Sequence, residues 1–214
     1  ESFLETWQQL GIRFDRFTST GTVNHAAVAG DIFSTLLKNG YIYPASMSQP
    51  WCESCGRYLP DRYIEGTCPN CGSTGARGDQ CDQCGRPMNA SELKEPRCRI
   101  CETPPVFHES EHFFLKLSAF EADLLEWVKR PEHANWRVNV RNFTQRYLED
   151  GLHDRAITRD IDWGVALPLP GYEKKRLYVW FEAVIGYLSA SKEWAQDQGA
   201  PERWREFWQD AAAE

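Results

Sequence analysis

The sequence predicts an α/β fold that is interrupted by a metal-binding insertion. Segments with helical and strand-like periodicity follow one another on both sides of a cysteine-rich region, and such alternation is typical of an α/β layer. All eight cysteines lie between Cys52 and Cys101, in four C-x-x-C pairs. A chain that leaves an α/β layer, enters a metal module and returns to the layer indicates an insertion within a parallel-sheet domain.

The composition is that of a folded globular chain of 214 residues, 42% of them hydrophobic and 26% charged. A net charge of −7 argues against a generally basic nucleic-acid platform, and we expect no DNA partner. The sequence has no long apolar run, so no membrane span is predicted.

The first residues form a helical pattern and not a signal peptide, which favours a cytoplasmic protein. Because the chain begins inside that pattern and without Met, we expect it to be a fragment.

The segment before the cysteines predicts two helices and two extended pieces. The helices cover residues 1–10 and 25–39, and the second begins after the capping residue Asn24 and ends at Gly40. Between the helices, GIRFDRF is predicted as a short strand. YIYPASMSQP is predicted as an extended exit, because a proline stands near each end. RYLPDRYIEGT, between the first two cysteine pairs, predicts further strand.

The segment after the cysteines predicts two helices and then a β-rich stretch. SEHFFLKLSAFEADLLEWVKR predicts an extended piece and a helix capped near Ser118. NWRVNVRNFTQRYLEDG predicts a helix that ends at Gly151. AITRDIDWGVALPLPG and KKRLYVWF predict strands. EAVIGYLSASKEWAQDQG predicts a helix that stops at Gly199, and PERWREFWQDAAA predicts a last helix with proline at its first position.

The cysteine spacing predicts two structural zinc sites. A tetrahedral Cys₄ site uses two C-x-x-C pairs, so four pairs make two sites. Glycine follows three of the pairs and suits the tight turn there, whereas Glu102 follows the fourth. Disulfides are typical of small secreted chains, and four repeated pairs do not form a single redox motif. With every cysteine in a pair, a thiol nucleophile is not expected.

Two ways of sharing the metals are open. Sequential pairing joins the first pair with the second and the third with the fourth. Nested pairing joins the inner two pairs and, separately, the outer two. The inner loop is the shortest and closes at the least entropy cost, which favours nesting without excluding the alternative. In chain order the pairs are Cys52/Cys55, Cys68/Cys71, Cys81/Cys84 and Cys98/Cys101.

The histidines give little indication of catalysis. His112 lies beside Glu109 and Glu111 in the sequence, and we predict a structural hydrogen-bonding role for it. The other four are predicted to be exposed or capping residues: His25, His108, His133 and His153.

Several segments resemble the methionyl-tRNA synthetases, a family of class I aminoacyl-tRNA synthetases. LYVWFEAVIGYLSASKEW is similar to the family's aromatic-rich strand–helix segment, and ITRDIDWG is similar to its I-[ST]-R-D-x-x-W-G stretch. LGIRFDRFTSTGTVNH and LLKNGYIY resemble the stretch before its insert. The four cysteine pairs, with LPDRYIEGTCPNC between the first two, resemble the zinc-knuckle connective peptide of its two-zinc members.

The resemblance implies a fold, an activity and substrates. The expected fold is part of a class I Rossmann-like catalytic domain interrupted by the zinc-knuckle connective peptide. The expected reaction is activation of methionine by ATP, with Mg²⁺ as counter-ion, followed by transfer of methionine to tRNA(Met). The implied pairing of the Zn²⁺ ligands is nested. Since some family members keep only the inner site, the inner four cysteines are the safer of the two predictions.

The resemblance also assigns site residues and domain boundaries. Trp180, Ala183 and Tyr187 would shape the methionine pocket, because a thioether packs well against aromatic rings. Arg159 would lie near the ATP phosphates and stabilise charge, with a salt bridge to Asp160 or Asp162 as the alternative. The expected parts are 1–46, the end of the first Rossmann half; 47–110, the zinc-knuckle peptide; 111–152, the helical remainder of the insert; and 153–214, the start of the second half.

The sequence also departs from the family pattern. Glu182 stands where Asp is usual, Val184 where Pro is common, and Arg155 where Trp is common. The His-Ile-Gly-His and Lys-Met-Ser-Lys-Ser signatures are absent, so we expect an internal fragment that is inactive alone. A free-standing zinc-ribbon module that binds nucleic acid or protein is the alternative, although no Lys/Arg cluster is evident around the knuckles. A thiol redox protein is a third hypothesis.

Overall fold

The computed structural model describes residues 2–210 of the chain. These residues form two compact units, each described separately below. One unit contains Glu1–Thr35, Gly164–Glu173 and Leu177–Glu214, of which residues 1 and 211–214 lie outside the described part. The other, larger unit contains Leu36–Trp163 and Lys174–Arg176. The division of the sequence into four parts stays a prediction.

Helices and strands alternate along the described residues. The α-helices are α1 (Ser2–Gln9), α2 (Val23–Lys38), α3 (Glu121–Val128), α4 (Val138–Glu149), α5 (Val179–Asp197) and α6 (Arg205–Trp208). The strands are β1 (Ile42–Cys52), β2 (Arg57–Tyr58), β3 (Ile64–Thr67), β4 (Thr74–Arg77), β5 (Lys94–Cys98), β6 (Val106–Leu115), β7 (Arg155–Ala156), β8 (Thr158–Asp160) and β9 (Lys175–Leu177). They form sheets in the orders β2-β1-β6-β7, β4-β3-β5 and β8-β9.

A long antiparallel ladder supports the larger unit. Strands β1 and β6 pair continuously from Ile42 opposite Leu115 to Trp51 opposite Val106. The cysteine-rich segment therefore leaves and re-enters the ladder at neighbouring positions, since Trp51 and Val106 are cross-strand partners. Every strand pair for which the structure gives a register is antiparallel. The parallel sheet expected around the insertion is thus not among these pairings.

The cysteine-rich module is built around a small core that contains four cysteines. Apart from these, the core has few large apolar side chains, of which Ile64 is completely buried. A core of this kind removes little apolar surface from water, so metal cross-links are a plausible source of its stability. The core consists of Cys52, Leu59, Ile64, Cys68, Ala76, Cys81, Met88, Ala90, Leu93 and Cys98.

In the other unit, α2 begins at a side-chain cap. The backbone N–H of His25 donates to the hydroxyl oxygen of Thr22 at 3.1 Å, which satisfies a donor in the first turn. The cap is therefore Thr22 and not Asn24, whose side-chain amide instead donates to the carbonyl of Ser189 at 2.8 Å. Further along α2, Phe33 is completely buried.

Several predicted boundaries were wrong. GIRFDRF forms no strand, although its apolar residues alternate; Ile12 and Phe14 are both exposed. Helix α5 begins at Val179, so Trp180 is helical and KKRLYVWF is strand only in β9. The AITRDIDWGVALPLPG segment is strand only in β7 and β8. The last helix, α6, has four described residues, and the expected residues 211–213 lie outside the described part.

For other segments the predicted type of secondary structure was confirmed. The extended exit is the eleven-residue strand β1, and the strand predicted between the first cysteine pairs is present as β2 and β3, separated by a 3-10 turn at Asp61–Tyr63. The helix expected near Ser118 begins as a 3-10 turn and becomes α3 at Glu121. Helix α4 ends before Gly151, as the sequence predicts.

Candidate functional site

Three of the cysteine pairs share one turn geometry. The residue after each second cysteine donates its backbone N–H to the carbonyl of the first, over 2.8–3.0 Å. That residue has a positive φ of 73° at Gly72 and 70° at Gly85, a conformation in which glycine meets no Cβ penalty. Glu102 adopts the same conformation, at 62°, although it carries a side chain. The turn therefore forms even where the sequence lacks the favoured residue.

The folded chain gathers the eight cysteines into two clusters of four. In each cluster the four Sγ atoms lie within 4.8 Å of one another, and all eight are free thiols. The grouping is nested: one cluster is Cys52, Cys55, Cys98 and Cys101, and the other is Cys68, Cys71, Cys81 and Cys84.

The sulfur spacing fits a tetrahedral metal ion. In the outer cluster, Sγ of Cys101 lies 3.4 Å from Sγ of both Cys52 and Cys55. In the inner cluster, Sγ of Cys71 and Sγ of Cys81 are 3.7 Å apart. Four sulfurs bound tetrahedrally at about 2.3 Å from Zn²⁺ would lie about 3.8 Å from one another. Each cluster can therefore hold a metal ion.

Hydrogen bonds prepare part of each cluster as thiolate. The hydroxyl of Thr103 lies 3.0 Å from Sγ of Cys101 and lowers the pKa of that thiol to about 6. The side-chain amide of Asn70 donates to Sγ of Cys84 and lowers its pKa to about 6. By contrast, hydrogen bonding to neighbouring cysteines raises the pKa of Cys55 to about 12. A bound cation would offset the negative charge of the neighbouring thiolates and would therefore allow Cys55 to lose its proton as well.

Arg159 lies in a buried ion pair. Its Nη2 atom is 3.3 Å from Oδ2 of Asp61, and both residues are at most 9% exposed. Its Nη1 atom donates to the carbonyls of Ala156 and Thr158 at 3.1 and 2.9 Å. The ion pair thus joins Arg159 to Asp61, whereas the sequence suggested Asp160 or Asp162. This geometry favours a structural role for the guanidinium, joining β8 to the 3-10 turn between β2 and β3.

The predicted pocket residues lie on one face of α5. Trp180, Ala183 and Tyr187 occupy positions i, i+3 and i+7 of the helix, which project on the same side. Val184 belongs to the same face. The side chains of Trp180, Val184 and Tyr187 are exposed in the described residues, at 58%, 64% and 73%. The helix, and not the strand that the sequence predicted for Trp180, brings these residues together.

Beside this face, Glu182 is held by a buried histidine that the sequence did not single out. Nε2 of His25 lies 2.7 Å from a carboxylate oxygen of Glu182, and Nδ1 lies 3.0 Å from the hydroxyl of Ser189. His25 is completely buried, so its predicted exposed or capping position was wrong. No local pattern reveals this contact, because 157 residues separate the two partners.

A second polar network lies in the larger unit. His112 is completely buried, and its Nδ1 atom is 2.9 Å from the hydroxyl of Thr158. Its Nε2 atom lies 3.3 Å from Oδ2 of Asp160, and Nζ of Lys175 donates to Oδ1 of the same carboxylate at 2.8 Å. Burial lowers the pKa of His112. Burial would raise the pKa of Asp160, but hydrogen bonds from His112, Lys175 and Ser110 outweigh it and hold that pKa well below its usual range. The predicted hydrogen-bonding role of His112 agrees with these contacts.

The family assignment follows from the whole length of the chain. The sequence model of the family described as tRNA synthetases class I (M) matches residues 1–214. The chain belongs to this family. A methionine–tRNA ligase of Dehalococcoides mccartyi is 62% identical over 208 residues, and one of Thermomicrobium roseum is 55% identical over 211 residues.

These relatives of the class I (M) family are much longer than the chain. The two alignments cover 97% and 99% of the chain, but only 37% and 36% of the respective relatives. The Mycobacterium tuberculosis methionyl-tRNA synthetase, in a crystal structure bound by methionyl-adenylate, matches 99% of the chain and 36% of its own, with a TM-score of 0.59 and 22% identity. The last likeness shows the mixed α/β fold of the class I synthetases.

Within the described residues, no helix is both long and apolar enough to cross a membrane. A cavity of about 640 Å³ lies beside α1, and none of the predicted site residues lines it. Its lining consists of Leu4, Trp7, Gln8, Ile12, Arg13, Phe14 and Phe17.

Proposed function

We propose that the protein containing this chain is a methionine–tRNA ligase. It activates methionine with ATP, with Mg²⁺ as the counter-ion, and transfers the methionyl group from the adenylate to tRNA(Met) in the cytoplasm. The observation that supports this most strongly is 62% identity, over 97% of the chain, to a protein of that name. The chain spans about 37% of that relative, and we propose that it is inactive alone.

In this proposal the two cysteine clusters bind Zn²⁺. The support is their donor set of four sulfurs each and the tetrahedral spacing. Bound Zn²⁺ would cross-link the loops of a module that has few large apolar side chains. The protein residues do the remaining work there: Thr103 and Asn70 donate hydrogen bonds to the sulfurs and favour the thiolate form.

The face of α5 formed by Trp180, Ala183 and Tyr187 contributes to the methionine pocket. Aromatic rings offer the thioether a favourable contact worth about 0.3–1.5 kcal/mol, and the small Ala183 leaves room between the two larger side chains. The role of Arg159 near the ATP phosphates stays a prediction, and it would require the guanidinium to act while bound to Asp61.

Methionine-dependent exchange between ATP and pyrophosphate tests the activity. The full-length protein should catalyse the exchange, and the 214-residue chain should not. In the full-length protein, Tyr187→Ala should raise the KM for methionine more than it lowers kcat, because it removes part of the pocket wall. Tyr147→Ala is the control, since Tyr147 is an exposed tyrosine of α4. Exchange that does not depend on methionine would exclude the proposed function.

A further inference from the structure

The outer face of the small sheet β4-β3-β5 carries a row of charges. Glu65 of β3 is the cross-strand partner of both Arg77 in β4 and Arg97 in β5. Cross-strand partners project on the same face, so the three side chains form one row. The preceding residue of β3, Ile64, pairs with Cys98 and is completely buried on the other side. Because side chains alternate between the two faces along β3 and β5, one face packs on the module core and the other carries the arginines.

Two further arginines and a tyrosine extend this surface. The backbone N–H of Arg99 donates to the carbonyl of Tyr63 at 2.9 Å, which continues the β3–β5 alignment by one residue beyond the Ile64–Cys98 pair. The guanidinium of Arg57, in β2, lies 5.5 Å from the centre of the Tyr63 ring. We call this surface the arginine face; it consists of Arg57, Tyr63, Arg77, Arg97 and Arg99.

One carboxylate fixes two of these guanidinium groups. Nη2 of Arg97 and Nε of Arg99 lie 2.9 and 3.0 Å from the two carboxylate oxygens of Glu65. The Glu65 side chain is only 22% exposed, whereas Arg97 and Arg99 are 54% and 42% exposed. The carboxylate is thus more buried than its partners, and Nη1 of Arg99 also donates to the carbonyl of Arg62 at 3.2 Å, while both arginine side chains stay partly exposed. Arginines held in this way lose less side-chain entropy when they bind an anion.

The arginine face is locally positive in an acidic chain. Within residues 2–210, its four guanidinium groups have two carboxylates within ion-pair distance, Glu65 and the exposed Asp82, which lies 3.6 Å from Arg77. Two positive charges remain, although the whole chain carries −7. No such cluster is evident in the sequence, because its arginines belong to the separate strands β2, β4 and β5 and to the residue after β5.

We propose that the arginine face binds the sugar–phosphate backbone of the RNA substrate. This inference rests on the proposed function, which supplies an RNA as partner. Guanidinium groups match the geometry of phosphate, and an exposed tyrosine ring offers a stacking surface for an unpaired base; Tyr63 is 42% exposed. An acidic protein surface could also pair with these arginines, but its binding would not require the exposed ring of Tyr63.

RNA binding by the zinc-loaded 214-residue chain tests the proposal. Fluorescence anisotropy with a labelled tRNA(Met) transcript gives the Kd between about 50 and 200 mM salt. Arg97→Gln/Arg99→Gln should raise the Kd about tenfold and make the slope of log K against log salt shallower by about 2, one unit for each lost phosphate contact. Arg97→Lys/Arg99→Lys should keep most of the slope, because the charge remains.

The matched control is Arg203→Gln/Arg205→Gln. These two arginines are 47% and 51% exposed and pair with Glu206 and Glu202. The control should leave both the Kd and the salt slope unchanged. Equal losses in the two double variants, or no loss in Arg97→Gln/Arg99→Gln, would overturn the proposal, provided that circular dichroism and zinc content match the parent chain. Equally effective competition by polyglutamate would also overturn it, in favour of an acidic protein partner.

The two proposals can fail separately. In the full-length protein, Arg97→Gln/Arg99→Gln should leave methionine-dependent exchange unchanged, since that reaction needs no RNA, and should raise the KM for tRNA in charging. An unchanged KM for tRNA rejects the arginine face while the ligase activity stands. A parent protein without methionine-dependent exchange rejects the proposed function, whereas the anisotropy result still decides whether the arginine face binds RNA.

Discussion

Asp61 and Arg159 form an ion pair from which water is almost excluded. Their charged atoms are 3.3 Å apart, and the side chains are 9% and 11% exposed. Removing one partner of such a pair leaves a buried charge without compensation, which costs more than the pair itself contributes. This asymmetry gives a direct test of the structural role of Arg159.

Asp61→Asn should lower the free energy of unfolding by about 3–5 kcal/mol. The double variant Asp61→Leu/Arg159→Met should lie closer to the parent chain, because no charge is left buried. Urea unfolding of the zinc-loaded chain provides the measurement. Asp82→Asn is the control, since Asp82 is 74% exposed and should change stability little. An Asp61→Asn variant as stable as this control would show that the guanidinium has another source of compensation.

The network around His112 predicts a loss of stability in acid. Because burial lowers the pKa of His112 below the usual histidine value of about 6.5, the unfolded chain binds a proton more readily than the folded one. The stabilising contribution is therefore complete above about pH 6.5 and is lost as the pH falls below it. Asp160 acts in the same direction at lower pH, since its pKa is also lowered.

The midpoint of urea unfolding, measured from pH 7.5 down to the pH at which zinc is released, should fall with acidification. His112→Gln should flatten this dependence, because it removes the group that gains a proton on unfolding. His153→Gln should keep the dependence, because His153 is exposed. If His112→Gln and the parent chain have parallel profiles, another group controls the acid sensitivity.

Sites could be predicted from the sequence where their chemistry depends on residues that are close together in the chain. The C-x-x-C pairs and their glycines belong to this class. The partners of His25 and Arg159 could not be predicted, because Glu182 and Asp61 lie 157 and 98 residues away. The arginine face could be predicted only in part. The order Arg97, Cys98, Arg99 indicates that the arginines and the cysteine lie on opposite faces of a strand, but it does not indicate which strand lies beside them.

At the scale of elements, the knuckle turn is determined mainly by its backbone. The turns after Cys71, Cys84 and Cys101 have the same hydrogen bond and a positive φ, yet the last position is Glu102 and not glycine. A side chain in this left-handed conformation costs about 1 kcal/mol. The outer cluster therefore contains strain that the inner cluster lacks.

Glu102→Gly should raise the stability of the zinc-loaded chain by about 0.5–1 kcal/mol, because it removes this strain. Gly85→Ala, at the matching position of the inner cluster with φ of 70°, should lower stability by a similar amount. Both are measured by urea unfolding. A destabilised Glu102→Gly variant would mean that the side chain makes contacts worth more than the strain.

Element boundaries were least predictable where apolar residues suit both strands and helices. Trp180 and Phe181 have high β-propensity, and the sequence placed them in a strand, but α5 already begins at Val179. In GIRFDRF the alternation of apolar residues suggested a strand, but the folded segment has no ladder within the described residues. Periodicity describes which faces are apolar; it does not supply the neighbouring strand that a sheet requires.

At the scale of the whole molecule, the two sulfur clusters predict a defined metal content. We expect two Zn²⁺ per chain, measured by elemental analysis. Each structural site in comparable peptides contributes on the order of 10 kcal/mol to folding, so chelation should unfold the module, as measured by the loss of near-ultraviolet circular dichroism.

Two double variants distinguish the nested from the sequential pairing. Cys68→Ser/Cys81→Ser removes two ligands of the inner cluster and should leave one Zn²⁺ per chain. Cys52→Ser/Cys68→Ser removes one ligand from each cluster and should leave none. Sequential pairing gives the reverse result, zero for the first variant and one for the second, so each variant serves as the control of the other.

The pairing of Trp51 with Val106 makes the whole cysteine-rich segment a cassette. Its entry and exit are adjacent across the β1–β6 ladder, so excising residues 52–105 and joining Trp51 to Val106 through a two-residue Asn-Gly turn would leave an ordinary β-hairpin. The same geometry allows the reverse operation, since the segment could be grafted onto the end of any antiparallel hairpin. Enlargement, loss or exchange of this cassette during evolution would therefore leave the strands beneath it in register.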